Sequence, residues 1–264
     1  MSKIKIILSW MAVIIYLAVV FGFISENDRN RLCHTIHVNI LDSTQTGFIQ
    51  QDDILKLLNK NKIEVKGRLV SEINLKKLEN LLDNQGTIKN AEVYCTNSGT
   101  LNIDILQRRP LVRIIDKAGK SYYLDAEGTI IPLSEKYSPL VLIANGNISE
   151  PFNPDKANNI WQVKKDNLTN SQKTIYELFE LVQFISSNEF WNAQIEQVYV
   201  DDKLEFEIIP RVGPHIIILG TIENYKGKFD KLMTFYKEGL SKVGWNTYLT
   251  INLKYKNQIV CTKN

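Results

Sequence analysis

The side chains of this 264-residue sequence that could act as metal ligands, acids or bases fall into a few short groups. Cys33, His34 and His37 are the one local set of soft ligands, and His215 lies far from them in sequence. A structural zinc needs four such ligands. The residues that follow enter an alternating strand pattern, which sends positions 34 and 37 to opposite faces, so the set reads as ordinary surface. Asp125 with Glu127, and Asp201 with Asp202, are paired carboxylates of the kind used for acid–base work. Both pairs fall at predicted turns, where an aspartate hydrogen-bonds its own backbone. Arg108 and Arg109 have the charge to bind an anion and read as an exposed pair at a domain junction. Trp161, Phe190, Trp191 and Trp245 read as packing residues. The sequence holds no Gly-x-Ser-x-Gly, no P-loop and no dinucleotide fingerprint. No catalytic, cofactor or metal site is expected.

Composition narrows the classes further. The formal net charge of +3 is small and spread along the chain, which excludes the basic patch of a nucleic-acid binder. Three cysteines, Cys33, Cys95 and Cys261, are far apart; one disulfide is arithmetically possible and one thiol is left over. The core must therefore come from packing. One apolar run, Ile6 to Ile24, is free of charge, with Lys3 and Lys5 before it and Glu26, Asp28 and Arg29 after it. At 1.5 Å per residue it is roughly 28 Å long, which predicts a transmembrane helix through Ile6, Trp10, Ile15, Val20 and Ile24. The run is longer than the apolar part of a cleaved signal and lacks an Ala-x-Ala site. Residues 1–5 are then a cytoplasmic tail, 6–24 the helix and 25–34 a linker.

Behind the run, Ile36, Val38 and Ile40 alternate with polar residues, which predicts a strand. A turn over Ser43–Gly47 leads to an apolar stripe with Asp52 and Asp53 in its first turn, as a helix dipole favours. A second helix is predicted from about Asn74 to Asn84, then a strand from Ile88, a turn at Asn97-Ser98-Gly99 and a strand through Leu101, Ile103 and Ile105. The order is β-α-α-β-β. Beyond Pro110 short β runs dominate, with a polar, Asn-rich segment from Asn145 to about Asn170. A helix led by Leu168-Thr169-Asn170-Ser171 follows, then strands, a helix over Tyr225–Leu240 and a final hairpin. In that hairpin Leu249, Ile251, Leu253 and Tyr255 alternate with polar residues, and Ile259-Val260-Cys261-Thr262 ends the pattern. A last strand with nothing after it reads as a sheet edge.

This layout resembles the FtsQ/DivIB bacterial cell-division proteins, whose first module is a POTRA domain. Three stretches carry the likeness. Leu106-Gln107-Arg108-Arg109-Pro110-Leu111-Val112-Arg113 is similar to the family's E-x-x-P-x-A junction, with Gln107 where glutamate is usual. Tyr122-Tyr123-Leu124-Asp125-Ala126-Glu127-Gly128 is similar to its hydrophobic-Asp-x-x-Gly hairpin. Ile218-Leu219-Gly220, the helix from Lys228 to Leu240, and Thr250-Ile251-Asn252-Leu253-Lys254-Tyr255 resemble its LG…K…L and terminal DLRY segments, with Asn252 and Lys254 where aspartate and arginine are typical.

The resemblance implies an α+β fold. It comprises one N-terminal transmembrane helix, a POTRA module over residues 35–108, and a C-terminal β-rich module over 109–264 with a sheet and flanking helices. It implies a non-enzymatic, single-pass scaffold of the cytoplasmic membrane with its C-terminal modules on the periplasmic or extracytoplasmic side. That scaffold works at the division site without cofactors. Its partners are division proteins of the FtsB/FtsL type, docked by strand addition at Tyr255, Asn257, Ile259, Val260, Cys261 and Thr262. The POTRA module is a second contact region for other division proteins, and no nucleic acid is involved. The alternative is a POTRA-bearing component of outer-membrane protein assembly or secretion.

Overall fold

The computed structural model describes residues 10–19, 31–43, 46–149, 159–162 and 169–263. It corrects the expectation of a membrane-crossing helix. Residues 10–19 lie in a helix, α1. Among the described residues no helix is long and apolar enough to cross a membrane. Trp10 and Ile15 lie on α1 with exposed side chains. Ile6, Val20 and Ile24, the expected tail over 1–5 and linker residues 25–30 lie outside the described residues.

The chain divides into two compact units, Met1–Gln107 and Arg108–Asn264. In the first, β1 (Thr35–Ile40) is followed by α2 (Gln51–Lys60), a 3-10 turn (Val70–Glu72), α3 (Leu75–Asp83), β2 (Ile88–Cys95) and β3 (Thr100–Gln107). Each helix starts where a side chain satisfies an orphan amide. The Gln50 amide donates to Asp53 Oδ2 at 2.9 Å, and the Lys77 amide to Asn74 Oδ1 at 2.9 Å. The sheet order is β1-β3-β2, with β1 parallel and β2 antiparallel to β3. Period-2 alternation puts Leu101, Ile103 and Ile105 of the central strand in the core, where Ile54, Leu58, Leu78 and Leu82 of the helices are also buried.

The second unit holds β4 (Pro110–Ile115), β5 (Ser121–Asp125), β6 (Ile130–Ile131), β7 (Leu142–Gly146), α4 (Asn170–Ser187), α5 (Glu189–Gln194), β8 (Ile195–Val200), β9 (Phe206–Pro210), β10 (Ile216–Gly220), α6 (Tyr225–Phe235), α7 (Ser241–Val243), β11 (Tyr248–Asn252) and β12 (Val260–Lys263). Among the described residues they form a nine-stranded mixed sheet in the order β12-β11-β10-β9-β8-β7-β4-β5-β6. Helix α4 starts with a capping box between Thr169 and Gln172. It buries Ile175, Leu178, Phe179, Leu181, Val182 and Ile185 in one apolar cluster with Val198, Ile208, Ile217 and Ile251 of the strands.

Three elements differ from the sequence expectation. The helix expected over Tyr225–Leu240 is α-helical only to Phe235 and widens to a π turn over Tyr236–Leu240. The short helix α5 was hidden by its length and carries Trp191 into the core, T-shaped against Phe229 at 5.0 Å and Tyr236 at 5.9 Å. The polar segment begins later than expected, since β7 runs to Gly146; residues 150–158 and 163–168 of it lie outside the described residues.

Candidate functional site

Strands β10 and β11 are parallel neighbours, and β11 pairs antiparallel with β12, matching Ile251 to Cys261 and Asn252 to Val260. Strand β12 then ends the sheet. Its alternation splits the expected docking residues between two faces. Cys261 and Ile259 pack partly buried against the main core. Val260 is 42 % exposed and Thr262 is exposed on the other face, where Thr250 and Thr262 join hydroxyls at 2.9 Å. Tyr255 and Asn257 lie exposed in the connection between the two strands. Burial pushes the Cys261 thiol above its ordinary value, so it is a poor nucleophile.

Three lysines gather at the connection end of this hairpin. Lys228 of α6 donates to the carbonyls of Leu219 at 3.0 Å and Thr221 at 2.7 Å. Burial lowers its pKa, opposed by the nearby Glu223. Lys231 donates to the Tyr255 carbonyl at 2.6 Å, with those of Leu253 and Lys256 at 3.4 Å. Lys254 pairs with Glu205 at 2.6 Å, a hydrogen bond that raises its pKa. The Lys254 stem also explains the Leu219-Gly220 motif: Gly220 has φ +76°, and a Cβ there would come within 2.9 Å of Lys254 Cγ.

The remaining groups with chemistry are used structurally. Cys33 is fully buried, with Sγ 3.7 Å from the Thr35 carbonyl, whereas His34 and His37 are exposed. Asp201 Oδ1 accepts from the amides of Lys203 and Glu205, each at 2.8 Å, so this carboxylate shapes a turn. Asp125 does the same for Glu127 and Thr129 at 2.9 and 2.8 Å. It also corrects the reading of Arg108 as exposed: Arg108 Nη1 meets Asp125 Oδ2 at 2.8 Å, and the side chains are only 15 % and 7 % exposed. Gly128 completes this motif, because a Cβ there would lie 2.8 Å from Ile160 Cγ1 and from Trp161 Nε1.

Sequence reasoning missed a second buried polar group. Gln107, 1 % exposed, accepts from the Ile49 amide at 2.8 Å and donates to the Thr46 carbonyl at 3.0 Å and Asp42 Oδ1 at 3.3 Å. The substitution of glutamine for the family's usual glutamate was the visible signal: a glutamate here would face Asp42.

Residues 109–262, more than half of the chain, match the family model described as FtsQ/DivIB, C-terminal related. The chain belongs to that family. Residues 31–106 match the model of a POTRA-like domain. This FtsQ/DivIB-related chain is thereby placed among cell-division proteins, with a mixed α+β fold whose two units carry one match each. No curated protein matches the sequence significantly.

Proposed function

We propose that the chain is a non-enzymatic scaffold of the division machinery that recruits and links FtsB/FtsL-type partners at the division site by strand addition to β12. One observation carries this reading: β12 is the last strand of a nine-stranded sheet, and its outer border has no strand partner among the described residues. An unpaired border offers alternating N–H and C=O groups that an extended peptide satisfies in full. The half-covered Ile259 and Cys261 give such a peptide an apolar rim to close on one face, while Val260 and Thr262 meet it on the other. Main-chain pairing supplies affinity, and the alternate side chains supply specificity. Tyr255 and Asn257 then flank the end of the added strand. On this reading residues 109–264 dock those partners, on the extracytoplasmic side that the family implies. Residues 35–108 serve as a second contact region for other division proteins.

Val260→Glu tests the proposal. The position is exposed, so the fold is retained while a charge is placed against the incoming strand. Pull-down of an FtsB/FtsL-type partner from the same organism is expected to fail with an unchanged unfolding midpoint. Undiminished capture would rule out β12 as the docking edge.

A further inference from the structure

Among the described residues strand β12 is held by a single ladder, to β11, and that ladder has an irregularity between Tyr248 and Thr250. The two strands are joined by residues 253–259. A two-residue hairpin turn fixes strand register through its own geometry, but a connection of this length does not. Register matters here because a slip of one residue would turn Cys261 out of the core and drive Val260 and Thr262 into it.

The group that removes this freedom is an ammonium from another element. The carbonyls of Leu253, Tyr255 and Lys256 converge on Lys231 Nζ at 3.4, 2.6 and 3.4 Å, which matches the three donors of a lysine head. The base it reaches from is rigid, since Phe229 and Leu232 lock α6 into the core at 1 % and 0 % exposure. Lys228 ties the end of β10 to the same helix. Lys254 adds an ion pair to Glu205 that is partly open to solvent, the kind that contributes little.

We infer that Lys231 is the positioning residue of the docking edge: it clamps the 253–259 connection so that β12 meets a partner strand in one register. The inference rests on the proposed docking at β12 and names the residue that prepares it. The clamp lowers the ordering that binding would otherwise require, because the edge already has its bound form. Its outward face plays no part, so Lys231 need not touch the partner.

The test uses the full chain, with Lys231→Met and Lys231→Arg as a pair. Hydrogen exchange of the amides from 254 to 263 reads the clamp, and the Kd for an FtsB/FtsL-type partner of the same organism reads its consequence. In the Met variant, exchange across that span is expected to accelerate about tenfold or more and the Kd to weaken by about as much, since a loosened edge must order on binding. The unfolding midpoint stays close to that of the parent, and the Arg variant restores both readouts. Unchanged exchange in Lys231→Met would overturn the clamp whatever the partner does. Faster exchange with an unchanged Kd, where Val260→Glu abolishes binding, would overturn the positioning role and leave the docking edge standing. An unchanged Kd in both Lys231→Met and Val260→Glu would overturn the docking reading, and the positioning role with it.

Discussion

The border formed by β2 and the border formed by β12 are both ends of sheets, yet they are finished in opposite ways. Along β2 the Ala91 amide donates to Asp83 Oδ1 at 2.8 Å and the Val93 amide to Glu79 Oε1 at 3.2 Å. Glu79 and Asp83 are one turn apart on α3, a rise of about 6 Å, and alternate residues of a strand are about 6.7 Å apart. The helix therefore presents carboxylates at nearly the spacing at which a neighbouring strand would present carbonyls. Along β12 the side-chain devices act instead on the connection before the strand, and its outer border is left without a strand partner among the described residues. The contrast separates two uses of an edge. One has outward amides capped by side chains, and the other is the open border proposed above for docking.

The comparison breaks most severely if the first unit loses the neutral side chain that ties its backbone together. Gln107→Glu removes the donor to Thr46 and sets a second carboxylate against Asp42 Oδ1 in a site that is 1 % exposed. A buried, uncompensated charge costs about 3–5 kcal/mol, and urea unfolding of the variant is expected to show a loss of that size. A loss below about 1 kcal/mol would mean that the site admits water. Glu79→Ala with Asp83→Ala comes next. Hydrogen bonds to charged acceptors contribute about 1.5–3 kcal/mol each in favourable cases, and both contacts lie near the weak end, so a combined loss of about 3 kcal/mol is expected. The sharper readout is exchange at the Ala91 and Val93 amides, which should rise, together with self-association that grows with concentration. Protection that survives both substitutions would show that the border is covered by something other than α3.

Much of the framework was legible in the sequence because it rests on periodicity and caps. The alternation of Leu101, Ile103 and Ile105 gave β3, and Leu168-Thr169-Asn170-Ser171 gave the start of α4, where Thr169 is the cap. The family resemblance, drawn from the junction, hairpin and terminal motifs, agrees with the matched models. The apolar run misled for a definable reason: hydropathy reports that a segment would be stable in lipid, whereas no helix among the described residues is long and apolar enough to cross a membrane. The partners of the Lys231 clamp, of the Glu79 and Asp83 caps and of the Gln107 tie were not legible, although Gln107 itself stood out as a departure from the junction motif. Each contact joins a side chain to backbone 8 to 61 positions away, and no local pattern encodes such a partner. Arg108 was misread on the same grounds, since a charged pair beside a proline gives no sign that Asp125 will bury one of its members.

The smallest expected effect is a pH response confined to the second unit, at the end of β10 and β11 away from the lysines. His215 is 1 % exposed, with Nε2 3.2 Å from the Tyr236 hydroxyl. Burial holds its pKa below the ordinary 6.5, opposed by a hydrogen bond to the Trp245 backbone. A neutral Nε2 accepts from the Tyr236 hydroxyl, and in an imidazolium the direction of that bond reverses, so what opposes charging the ring is its burial. With its folded pKa depressed, the imidazole contributes its full stability above about 6.5. Below that value the unfolded chain binds the proton first, and the contribution fades as the pH falls toward the folded pKa. Urea midpoints compared at pH 7.5 and 5.5, above the range where most carboxylates titrate, are expected to drop modestly in the parent and to be level in His215→Asn. Because His34 and His37 are exposed, amides of the first unit should keep their protection, corrected for intrinsic exchange rates, over the same interval. An equal loss of protection in both units would show that the response does not arise at His215, and the two borders would then no longer be independent features of one chain.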